Sequence, residues 1–343
     1  MDPAQTERLV ASLIALLERG TTPWRREWDV AGPGHHVNLR SGRRYHGANP
    51  ILLTLGMHLR GSALPFWCGW GEARALGLVP RQGNQAVMVL RPQVHRRSSQ
   101  PRVAAFGDAS TIAPPSDQDG SAWVSYRPVP VFNAADLVGE ALPALVRQRS
   151  LRAHTARRGE PERLAAAEAV LGAWPVVVTH GSDHACYVPS ADRILLPVRC
   201  AFHSAAAFYA TWAHEVVHST GHRTRLARDL AGSPSSPSYA REELVAELGS
   251  VLLGDRLEIG IDLAYHASYL ASWIALLRDT PGLLLQVLGD ARRAVDLIAP
   301  EAAAVSAPPA SPLDQPEAAL LDDLPAAVCG RQKPVTGFEP ATY

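Results

Sequence analysis

His214-Glu215-Val216-Val217-His218 sets two imidazoles four residues apart with a carboxylate between them. On a helix, positions four apart share a face, so both rings can reach one metal ion while Glu215 points at a water beside it. A zinc ion held in this way brings the pKa of that water toward neutrality, and a neighbouring glutamate can take the proton. Phe208, Trp212 and Val216 give the same segment an apolar stripe, and Gly221 stands where such a helix would stop. The spacing therefore predicts a buried helix over residues 204–220 that carries a hydrolytic metal site.

Such a site keeps one position open for water and needs a third protein ligand. Six residues past His218, where a third histidine would stand in one arrangement of this kind, the chain has Thr224. His222 follows His218 by four residues, but Gly221 ends the helix before the ring can align. The next helix, over 238–255, offers Glu242, Glu243 and Glu247. Glu243 is favoured because Glu247 lies one turn further on the same face, where a second acid can hydrogen-bond a ligand imidazole. Glu242 has Ala246 at that position and lacks the support. Glu242, Glu247 and His222 stay as alternatives for the third ligand. Ser250 on the acidic face is small enough to let the two helices approach. Tyr239, His222, Tyr265 and His266 are candidates to stabilise charge on a carbonyl oxygen.

Outward from this centre, strands are expected at 175–180 and 192–198, the second offering an edge for an extended peptide. Helices are expected over 264–279 and 284–298. Residues 136–172 read as an alanine- and arginine-rich helical connector. Before it come helices at 4–19, 50–60 and 71–76, strands at 86–90 and 123–132, and a polar loop over 92–121. With seven prolines and few large apolar groups, 301–343 reads as a disordered tail. The expected organisation is α+β, with units at 1–135 and 173–300, matching the two domains that 343 residues suggest.

The charge balance divides the same way. The whole chain carries 33 basic and 33 acidic residues, which taken alone argues against a nucleic-acid partner. Residues 1–135, however, have 15 Arg against 9 acids, and the tail has 2 basic against 6 acidic. Within that front unit the basic residues interleave with aromatics: Trp24, Arg25, Arg26 and Trp28, then Arg40, Arg43, Arg44 and Tyr45, then Trp67 and Trp70. Guanidinium groups meeting phosphates and rings stacking on unpaired bases are the chemistry of single-stranded DNA binding. Four scattered cysteines with no CxxC pair argue against a disulfide framework or a cysteine zinc site. The start lacks a secretory signal and no apolar run is long enough to span a bilayer, so a cytoplasmic protein with no membrane partner is expected.

These residues together resemble the ArdC-type antirestriction family, which also forms the front part of some plasmid primases. The front unit matches through Leu17-Glu18-Arg19-Gly20, Pro23-Trp24-Arg25, Asn38, the run from Gly42 to Asn49, Trp67 and Val131-Phe132-Asn133. The second unit matches through Tyr187, Asp192, Ala213 to His222, Arg225-Leu226 and Tyr239 to Glu247. The resemblance covers roughly residues 5 to 298. It implies a small α+β single-stranded-DNA-binding domain, with Asn49 beside the aromatics and arginines above, joined to a zincin-like metallopeptidase domain of a bacterial mobile element. A protein substrate among host restriction or DNA-processing factors is implied with it. Two other readings stay open: a DNA-coating protein with a structural metal site, and a cytosolic zinc peptidase whose front unit recognises protein.

Overall fold

The computed structural model of the chain describes residues 3–20, 24, 34–96, 122–155, 158–234, 236–259 and 269–300. Residues 97–121 of the loop expected over 92–121, the tail over 301–343, and Arg25, Arg26, Trp28, Tyr265 and His266 lie outside these residues, while 92–96 of that loop are strand instead.

Helix α1 (Pro3–Leu17) buries Val10, Leu13, Ile14 and Leu17, one stripe at helical spacing, and stops before Gly20 at φ 73°. Strand β1 (Val37–Asn38) leads to α2 (Asn49–Arg60), which has Pro50 in its first turn and is capped by Gly61 in the left-handed region. Strand β2 (Phe66–Cys68) and helix α3 (Trp70–Ala75) follow, Glu72 capping α3 by accepting from Gly69 N–H at 2.9 Å. Then come β3 (Val79–Pro80), β4 (Val87–Arg96), β5 (Ala122–Asn133) and β6 (Leu137–Val138). One sheet runs in the order β1-β2-β5-β4, and β3 pairs with β6. β4 outlasts its expected end at Leu90, because its polar continuation stays in register with β5 as far as Arg96 opposite Ala122. Backbone pairing carries a segment that has no alternating apolar pattern.

The connector is two helices, α4 (Leu142–Thr155) and α5 (Glu160–Gly172). Strands β7 (Val177–His180), β8 (Cys186–Val188) and β9 (Arg193–Leu196) form a sheet in the order β7-β9-β8. The two expected strands are neighbours, but β9 is central and paired on both sides. The expected free edge at 192–198 is therefore corrected: β8, a three-residue strand with no sequence signal of its own, occupies it. Helices α6 (Ala205–Ser219), α7 (Pro237–Leu257), α8 (Leu270–Asp279) and α9 (Leu283–Ile298) complete the described fold. Among the described residues no helix is long and apolar enough to cross a membrane.

The largest core does not respect the expected division at residue 136. It joins Val10, Leu13, Leu17, Trp24 and Ile51 to Phe208, Trp212, Leu244, Leu248, Trp273 and Val287. α6 and α7 approach at Gly249, where a Cβ would stand 2.6 Å from Val217 Cγ1. Ser250, expected to serve that purpose, instead donates its hydroxyl to Glu247 O at 2.8 Å.

Candidate metal centre

Ser204 caps α6 by accepting from Ala207 N–H at 3.0 Å, which fixes where the helix begins and so which face His214 and His218 share. Their Nε2 atoms stand 3.1 Å apart. From the crossing helix α7, Glu243 places its carboxylate 3.7 Å from His214 Nε2 and 3.5 Å from His218 Nε2. An ion with bonds of about 2.0–2.2 Å in a tetrahedral set needs ligand atoms roughly 3.3–3.6 Å apart. The three groups lie within 4.8 Å of one another, with nearest separations of 3.1, 3.5 and 3.7 Å close to that spacing. Two imidazole nitrogens and one carboxylate oxygen are also a donor set that suits zinc. The charge fits too: Glu215, Glu242 and Glu243 surround the two imidazoles, and Arg228 is ion-paired with Glu242. A divalent cation would supply the balance.

Glu242 does what sequence pattern assigned to Glu247. Its Oε1 lies 3.1 Å from His218 Nδ1, the nitrogen facing away from the triad. Arg228 grips the same carboxylate through Nε and a terminal nitrogen, both at 2.8 Å, and donates also to Val217 O and Thr220 Oγ1 at the end of α6. Although burial opposes ionisation, Arg228 and His218 hold the Glu242 carboxyl below the usual range. Burial likewise opposes a charged His218, but Glu243, Glu242 and Glu215 outweigh it and push this imidazole up to about 9.

Glu215, buried beside the triad, has its carboxyl raised by burial, against the pull of His214 and His218, and the backbone N–H of Tyr187 on β8 hydrogen-bonds it. Tyr187 also donates its hydroxyl to Asp192 at 2.8 Å, and Arg225 forks onto Asp192 while Nε reaches Ser219 O at 2.7 Å. Sheet, α6 and the following loop are thereby locked around Glu215. Tyr239, one turn before Glu243, hydrogen-bonds that glutamate and meets the hydroxyl of Tyr269 at 3.2 Å. Burial raises both phenols, Tyr269 to about 12, so both stay protonated donors. Tyr269 had no motif to mark it. His222 is not brought into the triad; its Nδ1 pairs with Thr224 Oγ1 at 2.8 Å.

Residues 3–120 match the family of the N-terminal domain of anti-restriction factor ArdC, and residues 165–287 match a zincin-like metallopeptidase family, MPTase-PolyVal. Two crystal structures of the antirestriction ArdC protein from plasmid R388 share this fold. The metal-free one has a TM-score of 0.61 over 89% of this chain and 98% of its own. The Mn(II)-bound one has a TM-score of 0.60 over 90% and 100%, and both are 28% identical. The chain carries the N-terminal domain of the ArdC family followed by a zincin-like domain. Two Escherichia coli proteins named DNA primase TraC are 34% and 33% identical, each match covering 85% of this chain. The chain spans only 27% and 20% of their lengths. A Sinorhizobium fredii protein, y4eC, is 29% identical over 84% of this chain and 90% of its own.

The ArdC-type front module places its expected DNA-binding residues unevenly. Trp24 and Trp67 are core residues, 2% and 0% exposed, and cannot offer a ring face to a base. Trp67 donates to His36 Nδ1 at 3.0 Å and packs on Leu53, Val89 and Val131. Trp24 donates to Glu247 Oε1 at 2.8 Å and packs on Trp273, so it anchors the metal-bearing helix α7. Asn49 spends its side-chain amide on both backbone groups of Leu90, and Tyr45 packs against the Trp67 cluster. Arg44 is ion-paired at 3.0 Å with the buried carboxylate of Glu258. Arg40 and Arg43 are exposed as expected. Trp70, which the interleaved pattern contained but did not single out, is 50% exposed.

Proposed function

We propose that this chain is an antirestriction-type protein of a bacterial mobile element that binds single-stranded DNA through its front module and carries a zinc-dependent peptidase-like centre. The observation that carries the second part is the convergence of His214, His218 and Glu243 beside the buried carboxyl of Glu215. His214 and His218 would hold the metal through Nε2, and Glu243 through its carboxylate. Zinc held there supplies Lewis acidity, polarising a peptide carbonyl and acidifying water. Glu215 Oε takes the proton of the attacking water and returns it to the leaving amine, a role suited to a carboxyl raised by burial. Tyr239 and Tyr269 donate hydrogen bonds to the carbonyl oxygen as charge develops on it. Glu242, clamped by Arg228, orients His218.

On the DNA side, Arg40, Arg43 and Trp70 are the exposed groups suited to phosphate and base. Trp70→Ala is expected to weaken single-strand binding by about 1–3 kcal/mol, read by titration of a labelled oligonucleotide. A second reading, a DNA-coating protein with a structural metal site, is favoured by the burial of His214, Glu215 and Glu243, each 7% exposed. Glu215→Gln separates the two. It is expected to retain metal and abolish peptide hydrolysis, and the hydrolytic reading fails if wild type and variant cleave a casein panel equally or not at all.

A further inference from the structure

The turn bearing Arg40 and Arg43 is held from beneath by an element outside both matched families. Arg149 on α4 is buried, 8% exposed, and donates to Leu39 O at 2.9 Å and Arg40 O at 2.5 Å. Gly42 makes room for it: at φ 73° this residue leaves space where a Cβ would lie 2.5 Å from the guanidinium. Leu39 seats the turn in the same apolar cluster as Leu142, Leu145 and Val146 of α4. The arginine turn and α4 are thus one rigid unit, although the front-module family match ends at residue 120 and α4 starts after it.

Over Leu142–Thr155, α4 carries Arg147, Arg149 and Arg152 and no acidic residue. Arg152 lies three positions past Arg149, continuing its face beyond the core, and is exposed. Burial lowers the Arg149 pKa, and the like charge of Arg152 lowers it further. Arg147 points to the opposite side of the helix. Among the described residues, none of Arg40, Arg43 and Arg152 forms an ion pair, so their charges are available to an anion.

We propose that α4 is part of the polyanion surface of this protein, Arg152 joining Arg40 and Arg43 to contact successive phosphates of a single DNA strand, with Arg149 as the buried cation that sets their spacing. This rests on the single-strand reading above. A short turn alone offers two guanidinium groups; the helix beside it extends the track along the backbone of the strand, where every phosphate added raises affinity and salt dependence.

The test compares Arg152→Glu with Arg147→Glu in the full chain, two exposed changes of equal net charge on opposite faces of one helix. Binding of a labelled oligodeoxythymidine is titrated from low to moderate salt. Arg152→Glu is expected to weaken binding about tenfold and to lower the slope of log affinity against log salt by about 0.7, the loss of one single-strand phosphate contact. Arg147→Glu is expected to stay within about twofold of wild type, being screened across the helix. Equal effects of the two variants, or none from either, overturn the role of α4 while leaving the single-strand reading intact. A wild-type chain without salt-sensitive binding overturns both.

Discussion

Glu242 and Glu243 are chain neighbours with different duties: one holds His218 by Nδ1 and the other faces both Nε2 atoms. Only the second was legible in the sequence. Glu243 stands out by its distance from the HExxH motif, whereas the duty of Glu242 depends on the angle at which α7 crosses α6. Arg228 sits in a loop with no motif at all, so nothing in the sequence predicts its grip on Glu242. Because the orientation of His218 depends on this pair, Glu242→Gln and Arg228→Met are each expected to lower metal affinity about 10- to 100-fold while the chain stays folded. Competition with a chromophoric chelator measures it, and unchanged affinity in both would remove the proposed role. The tryptophans teach the reverse lesson. Trp24 and Trp67 sit in arginine-rich turns, and the same pattern suits a base-stacking ring or a local core; burial decided for the core.

At the scale of elements, the metal site is a product of helix packing. α6 and α7 meet where Gly249 faces Val217, and a methyl group there has nowhere to go. Gly249→Ala is expected to cost about 1–3 kcal/mol in stability and to loosen the triad, read by denaturant unfolding together with metal titration. α7 is held from its other side by Trp24, whose indole N–H meets Glu247. Trp24→Phe keeps most of the ring but leaves that buried carboxylate without this donor, so a loss of about 1–3 kcal/mol is expected. The helices of this region were legible because their apolar spacing repeats over several turns. β8 was not, since three residues carry no period, and the length of β4 was not, since its outer half is held by pairing alone.

For the molecule as a whole, the two modules suggested by charge and by family match share one core, and a buried ionic cluster ties them further. Glu258, at the end of α7, meets His35 at 2.9 Å, Arg44 at 3.0 Å and Arg158 at 3.2 Å, joining front module, connector and metal-bearing half. Against the opposing effect of burial, these partners hold the Glu258 carboxyl down at about 2, and the acids Asp255 and Glu258 raise His35 above 6.5 despite its burial. The stability that Glu258 contributes is present above about 4.5 and lost as pH falls toward 2; that of His35 is present below 6.5 and fades as pH rises through its raised value. The destabilisation by Glu258→Gln is therefore expected to be largest near pH 5–6, at about 2–3 kcal/mol, and to vanish toward pH 2, as thermal unfolding across pH can measure. None of this was visible in a net charge of zero, which averages a basic front, a basic α4 and an acidic tail. What unites these parts functionally is the claim that the shared core holds one metal between α6 and α7. Zinc titration of the metal-stripped full chain tests that claim most directly: about one equivalent should bind, with affinity falling at least about 100-fold in Glu243→Ala. Less than about half an equivalent in the wild type, or equal affinity in Glu243→Ala, would contradict it.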